Sequence, residues 1–98
     1  MPLPAALAVL LLAHIFDWAS FVVMIGRHGL GAEANPIVVT LVQETGVPGV
    51  TVAKLATVAF AALLALLIAP KRRRMAMVLL SFGVAAGLLG GISNLATL

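Results

Sequence analysis

The chain has no cysteine and no tyrosine, and it carries only three acidic residues, Asp17, Glu33 and Glu44, in 98. Without cysteine there is no disulfide framework and no thiolate metal site, and redox compartment leaves no mark on the sequence. Charged residues of all kinds make up 9% of the chain and hydrophobic ones 63%, whereas soluble domains carry about a quarter charged residues and under half apolar ones. That balance excludes an ordinary water-soluble domain. It also excludes a disordered chain, which combines low hydrophobicity with high net charge. Motifs of catalysis are missing too. No serine sits in a nucleophile elbow, no glycine-rich phosphate loop occurs, and no HExxH is present. The chain therefore reads as non-enzymatic.

What is present is apolar length. The mean hydropathy is +1.23, and about 20 apolar residues cross a hydrocarbon core. The first run, Leu3 to Ile25, is interrupted only by His14, Asp17 and Ser20; at 1.5 Å per residue it reaches about 34 Å. A secretory signal is the competing reading of this run. No Lys or Arg precedes it, however, and Asp17 stands where a small-residue cleavage site belongs. Gly26 to Asn35 reads as a loop. Asn35-Pro36 opens a helix, with Asn as a cap and Pro at the first position. This helix, over 36–44, is too short to span and is expected to lie in the interface or to re-enter the membrane. Pro48-Gly49 starts the second span, 50–69, and Met75 to Thr97 forms the third. The expected fold class is all-α: a single domain over 1–98, a membrane bundle of three transmembrane helices plus one short interfacial or re-entrant helix.

Charge placement orients the bundle. Four of the six basic residues are consecutive, Lys71-Arg72-Arg73-Arg74, in the short connection between the second and third spans. Read with the positive-inside bias, that loop and the N-terminus are cytoplasmic and the C-terminus is outside, in a plasma (inner) membrane. The basic run is thus a topology signal, and nucleic acid is not an expected partner.

Small residues set the expected packing. The third span carries Gly83, Gly87 and Gly91 on one stripe, and the second carries Ala53, Thr57, Ala61, Ala65 and Ala69 at the same spacing. Apolar helices gain little from burial in lipid, so close backbone approach across small residues holds them together. The simplest arrangement lays the glycine stripe on the alanine stripe as an antiparallel hairpin; self-association of copies through the glycines is the other. With little surface to bury internally, a homo-oligomer or a place in a larger membrane complex is expected alongside the lipid bilayer as partner.

Polar groups inside hydrocarbon cost several kcal/mol unless paired, so each needs a reason. His14 and Asp17 share a face of the first span. Asp17 lies about 21 Å past Leu3, and Lys54 about 9 Å past Pro48. Both levels fall in the outer half, where Asn94 and the loop residues Glu33 and Asn35 also converge. One reading is a neutralising Asp17–Lys54 ion pair that docks two helices, with Asn94 and Glu33 filling the remaining hydrogen bonds. Another is a water-accessible site for a proton, an ion or a small polar ligand. His14, Asp17 and Glu33 have donor types suited to a metal but no established spacing, so the metal and any cofactor are unknown. His14 as a haem ligand is a further alternative to a histidine bonded to a neighbouring helix.

Asp17 late in the first span, Glu33-Ala34-Asn35-Pro36 opening the next helix, Lys54 in the following span and the Lys71–Arg74 turn resemble, in that order, an uncharacterised family of small bacterial membrane proteins, a domain of unknown function. The resemblance implies a three-helix fold and a candidate polar site, and it supplies no reaction. Two functions follow as expectations: a self-assembling or accessory structural subunit, or a minimal ion, proton or metal binding or transport protein using Asp17, Glu33 and Lys54.

Overall fold

The computed structural model describes residues 1–98. The chain is all-helical: α1 spans Leu3–His28, a single 3-10 turn covers Leu30–Ala32, α2 spans Pro36–Ile68 and α3 spans Arg73–Ala96. Each of the three long helices is long and apolar enough to cross a membrane.

Local chemistry explains the boundaries. Pro4 falls in the first turn of α1, where a backbone N–H has no helical acceptor to lose. The helix stops at Gly29, whose φ of 74° and ψ of −175° lie in a region essentially reserved for glycine. At the start of α2, the Asn35 side chain accepts from Ile37 N at 3.0 Å, satisfying one of the orphan donors of the first turn.

The short helix expected over 36–44 is not a separate element. Residues 36–68 form one element, α2, with a single non-helical residue inside it, Gly46 at φ 76° and ψ 179°. The glycine absorbs a sharp change of direction. Pro48 then sits in the first turn beyond the break, so its missing N–H removes no bond that the helix would otherwise make. Gly49 leaves room for the Thr45 side chain to fold back across the break.

The helices pack unequally. α1 and α3 run parallel: Arg73 Nη2 donates to Met1 O at 3.0 Å at one end, and His28 Nε2 donates to Leu98 O at 3.2 Å at the other. Between these ends the α3 glycines meet α1. An added Cβ at Gly83 would meet Leu10, at Gly87 the Ala13 backbone, and at Gly91 the Phe16 ring. The expected hairpin of glycines on the alanine stripe of α2 is therefore corrected. Ala53 and Thr57 are exposed, and Thr57 Oγ1 turns back to Ala53 O at 2.8 Å. Only the far end of that stripe packs: Ala65 is fully buried in a cluster with Ala6, Leu10, Ala76 and Leu80, and Ala61 and Ala69 pack against it. The reason lies at the other end of α2, where it meets α1 through long side chains, Lys54 to Asp17 and Trp18 to Thr51, which span a wider gap than small residues would leave.

Only 12 of the 98 residues are buried, too few for a water-soluble core of this length. Large apolar side chains point outward instead, among them Phe82 at 73% exposure, Leu89 at 68% and Leu67 at 68%. An apolar exterior over polar interior contacts is the arrangement a hydrocarbon solvent demands.

Candidate functional site

Polar residues from all three helices meet at the end of the bundle that carries the 29–35 connection. Lys54 Nζ donates to Asp17 Oδ2, forming the one salt bridge of the molecule. Asn94, only 7% exposed, fixes the other side of the aspartate. Its Nδ2 donates to Asp17 O at 3.1 Å, to Asp17 Oδ1 at 3.2 Å and to Ser20 Oγ at 3.1 Å. Ser20 Oγ donates in turn to Asp17 O at 2.9 Å. Each member of this network is a polar group that would be costly in an apolar surround, and each compensates another.

Helix packing makes room for the network. An added Cβ at Gly90 would lie 2.5 Å from Asp17 Oδ1, so the absence of a side chain there lets the carboxylate lie against the α3 backbone within reach of Asn94. Trp18 extends the contact between α1 and α2: its Nε1–H donates to Thr51 Oγ1 at 2.8 Å, and Thr51 Oγ1 donates to Val47 O at 3.0 Å.

The ion pair is not sealed. The Lys54 and Asp17 side chains remain 24% and 21% exposed, facing a half-enclosed cavity of about 440 Å³. Asp17, Glu33, Asn35, Lys54 and Asn94 all line it, with Trp18 and Phe21 as its aromatic wall. Glu33 comes from the 29–35 connection; its Oε1 accepts from Asn35 N at 3.0 Å, and its carboxylate has no salt-bridge partner.

His14 departs from the expected cluster. Its Nε2–H donates to Gly83 O at 2.8 Å, which turns the ring toward α3 and away from Asp17. The Nδ1 atom is buried without a partner. His14 borders a separate, apolar groove of about 250 Å³ on the other side of Lys54. The His14, Asp17 and Glu33 donors thus form no metal-holding group, and no set of three His, Cys, Asp or Glu side chains gathers anywhere in the chain. Gly90, Ser20, Trp18 and Thr51 are the participants that sequence reasoning did not assign to the site. For Ser20 a signal existed, since it lies three residues from Asp17 on the same helix face; Trp18, one residue on, points about 100° away and gave none.

Chemically, the arrangement can hold a small polar or charged group beside a fixed ion pair, with one carboxylate still free. Neither a curated protein nor a solved structure matches the chain. A family model does, over residues 8–98. Because that match covers Asp17, the Glu33–Pro36 segment, Lys54 and the whole of α3, the chain belongs to the family described as Domain of unknown function (DUF5658).

Proposed function

We propose that the protein is a non-enzymatic, multi-pass component of the plasma (inner) membrane whose polar cavity, open to the outer side, admits water and binds a small ion or polar solute. The N-terminus and the Lys71–Arg74 loop face the cytoplasm, and the C-terminus faces outward. One observation carries the reading: the Asp17–Lys54 pair borders a cavity of about 440 Å³ and stays about a quarter exposed, where a purely structural tie would be dry. Intramembrane charges beside a cavity are the material of binding sites and ion pathways.

A second reading is favoured by the completeness of the Asp17 pairing. On it, the pair only docks α2, and the chain serves as a self-assembling or accessory subunit of a larger membrane complex.

Two adjacent alanines separate these readings. Ala86 lines the polar cavity, while Ala85 faces an apolar groove beside Leu88 and Val84. The native chain has no cysteine, so Ala86→Cys and Ala85→Cys each introduce a single thiol. In proteoliposomes, a water-soluble maleimide should label Ala86→Cys and leave Ala85→Cys unmodified. Equal protection of both thiols would refute a water-filled cavity and leave the docking reading.

A further inference from the structure

The wall of the cavity carries unequal numbers of acidic and basic groups. Two carboxylates, Asp17 and Glu33, face it against a single ammonium, Lys54. Asp17 is met by Lys54 and Asn94. Glu33 is met only by the Asn35 backbone N–H at 3.0 Å, so one negative charge stands in excess. At the start of α2, Pro36 has no N–H and the Ile37 N–H is taken by Asn35 Oδ1 at 3.0 Å, which leaves an anion fewer free donors there.

Aromatic rings supply a second independent feature. Trp18, 38% exposed and held in place by its bond to Thr51 at 2.8 Å, lines the space; Phe21, at 6% exposure, contributes only a small part of the same wall. A cation within about 6 Å of an aromatic face is stabilised by the ring quadrupole. A bare transition metal does not fit the donors present, which include no group of three ligating side chains. The volume of about 440 Å³ falls within the range of small-molecule sites.

We propose that the cavity binds a small organic monocation, an amine or quaternary ammonium group, with Glu33 as its counter-charge and Trp18 and Phe21 as its aromatic wall. This rests on the water-accessible cavity proposed above and names its ligand class. The same cationic group occurs on soluble amines and on choline or ethanolamine lipid headgroups.

Trp18 is the only tryptophan in the chain, so its emission reports from the cavity wall. The full chain, in lipid-free detergent, is titrated with tetramethylammonium chloride and, separately, with sodium acetate at matched ionic strength. The expected result is a saturable emission change with tetramethylammonium alone, its half-saturation raised about tenfold or more by Glu33→Gln. Repeating the titration in nanodiscs identifies the source: a response lost in phosphatidylcholine but kept in phosphatidylglycerol assigns the site to lipid headgroups, and an equal response in both assigns it to soluble amines. A response to acetate and none to tetramethylammonium, or a Glu33→Gln curve matching the native one, overturns the proposal. The native titration needs no variant, so a Glu33→Gln chain that fails to fold leaves the test intact. If Ala86→Cys reacts with maleimide but tetramethylammonium gives no response, only the ligand class falls; if Ala86→Cys stays protected, the cavity reading falls with it.

Discussion

Gly87→Ala adds one methyl group at the tightest backbone approach in the bundle, and the surroundings of each glycine predict a graded series. Replacing glycine by alanine within a helix contributes about 0.8–1.0 kcal/mol through backbone propensity, and overpacking costs about 1–3 kcal/mol. At Gly26 nothing lies within 4 Å of the new Cβ, so the propensity gain stands alone. At Gly83 the first atom met is Leu10 Cδ1 at 2.7 Å, the tip of a side chain that can turn aside for about 0.5–1.5 kcal/mol; the two effects nearly cancel. At Gly87 the methyl meets Ala13 C and O at 3.0 Å and Ala13 Cβ at 3.1 Å. None of those atoms can rotate away, so α1 and α3 must separate along their contact, with a net loss of up to about 2 kcal/mol once the propensity gain is taken off. Gly87→Leu extends the displacement and should lose more, far more than Leu88→Ala, since Leu88 is exposed at 44%. Reversible unfolding in mixed dodecylmaltoside and SDS micelles, followed by far-ultraviolet circular dichroism, gives the order. Stability should fall from Gly26→Ala through the native chain and Gly83→Ala to Gly87→Ala and then Gly87→Leu. A Gly87→Ala chain as stable as Gly26→Ala would refute the α1–α3 contact.

The ion pair predicts coupling: Asp17→Asn keeps the side-chain oxygen for Asn94 but strands Lys54, at a cost near 3 kcal/mol given the partial exposure, and Lys54→Met added to it should restore much of the loss. Additive losses in the same unfolding assay would remove the pair as a tie between α1 and α2. Gly46→Ala places a side chain at φ 76° and ψ 179° and should lose about 1–3 kcal/mol, read by the same micelle titration; a neutral result would mean that α2 passes that residue in another conformation. In intact cells, an impermeant maleimide should reach Gly29→Cys and not Arg73→Cys, and the opposite pattern would invert the orientation. Trp18→Phe keeps the ring but removes the donor to Thr51, so a loss of about 1 kcal/mol is expected, while Trp18→Leu should in addition abolish the tetramethylammonium response measured by calorimetry.

The three long helices were legible because length and hydropathy act over some twenty residues and leave few alternatives. The meeting of Asp17 with Lys54 was legible for a different reason: opposite charges at similar depth have few other ways to be neutralised. Partner choice was less visible. Gly83, Gly87 and Gly91 announce a close approach, but small residues specify distance and not identity, and α1 offers Ala13 as readily as α2 offers Ala53. What differs is that α2 meets α1 at that level through long side chains, Lys54 and Trp18, which span a wider gap. His14 was drawn into the cluster by helical spacing alone. In the fold its ring finds the Gly83 carbonyl, a backbone acceptor that no side-chain pattern displays. Gly46 and Pro48 read as the end of one helix and the start of another, and the bend they make is there, at the one non-helical residue inside α2.

The uneven packing of α2 gives the bundle a mechanical character. Its one fully buried residue, Ala65, seats it near the basic loop, and Lys54 grips Asp17 eleven residues away, about 16 Å along the axis. Between those points Val58, Ala61 and Ala62 pack against the cluster around Ala65, while Leu55, Ala56 and Thr57 are exposed. The helix is therefore held by apolar packing around Ala65 and by two polar ties further along, Lys54 to Asp17 and Thr51 to Trp18. A tilt of about 10° about Ala65 would carry the lysine sideways by roughly 3 Å, and it would have to break both the Lys54–Asp17 and the Thr51–Trp18 contacts to do so. The space beside Asp17 is thus bounded on the α2 side by polar contacts that salt or protonation can weaken, and the seated end is held by packing that neither reaches.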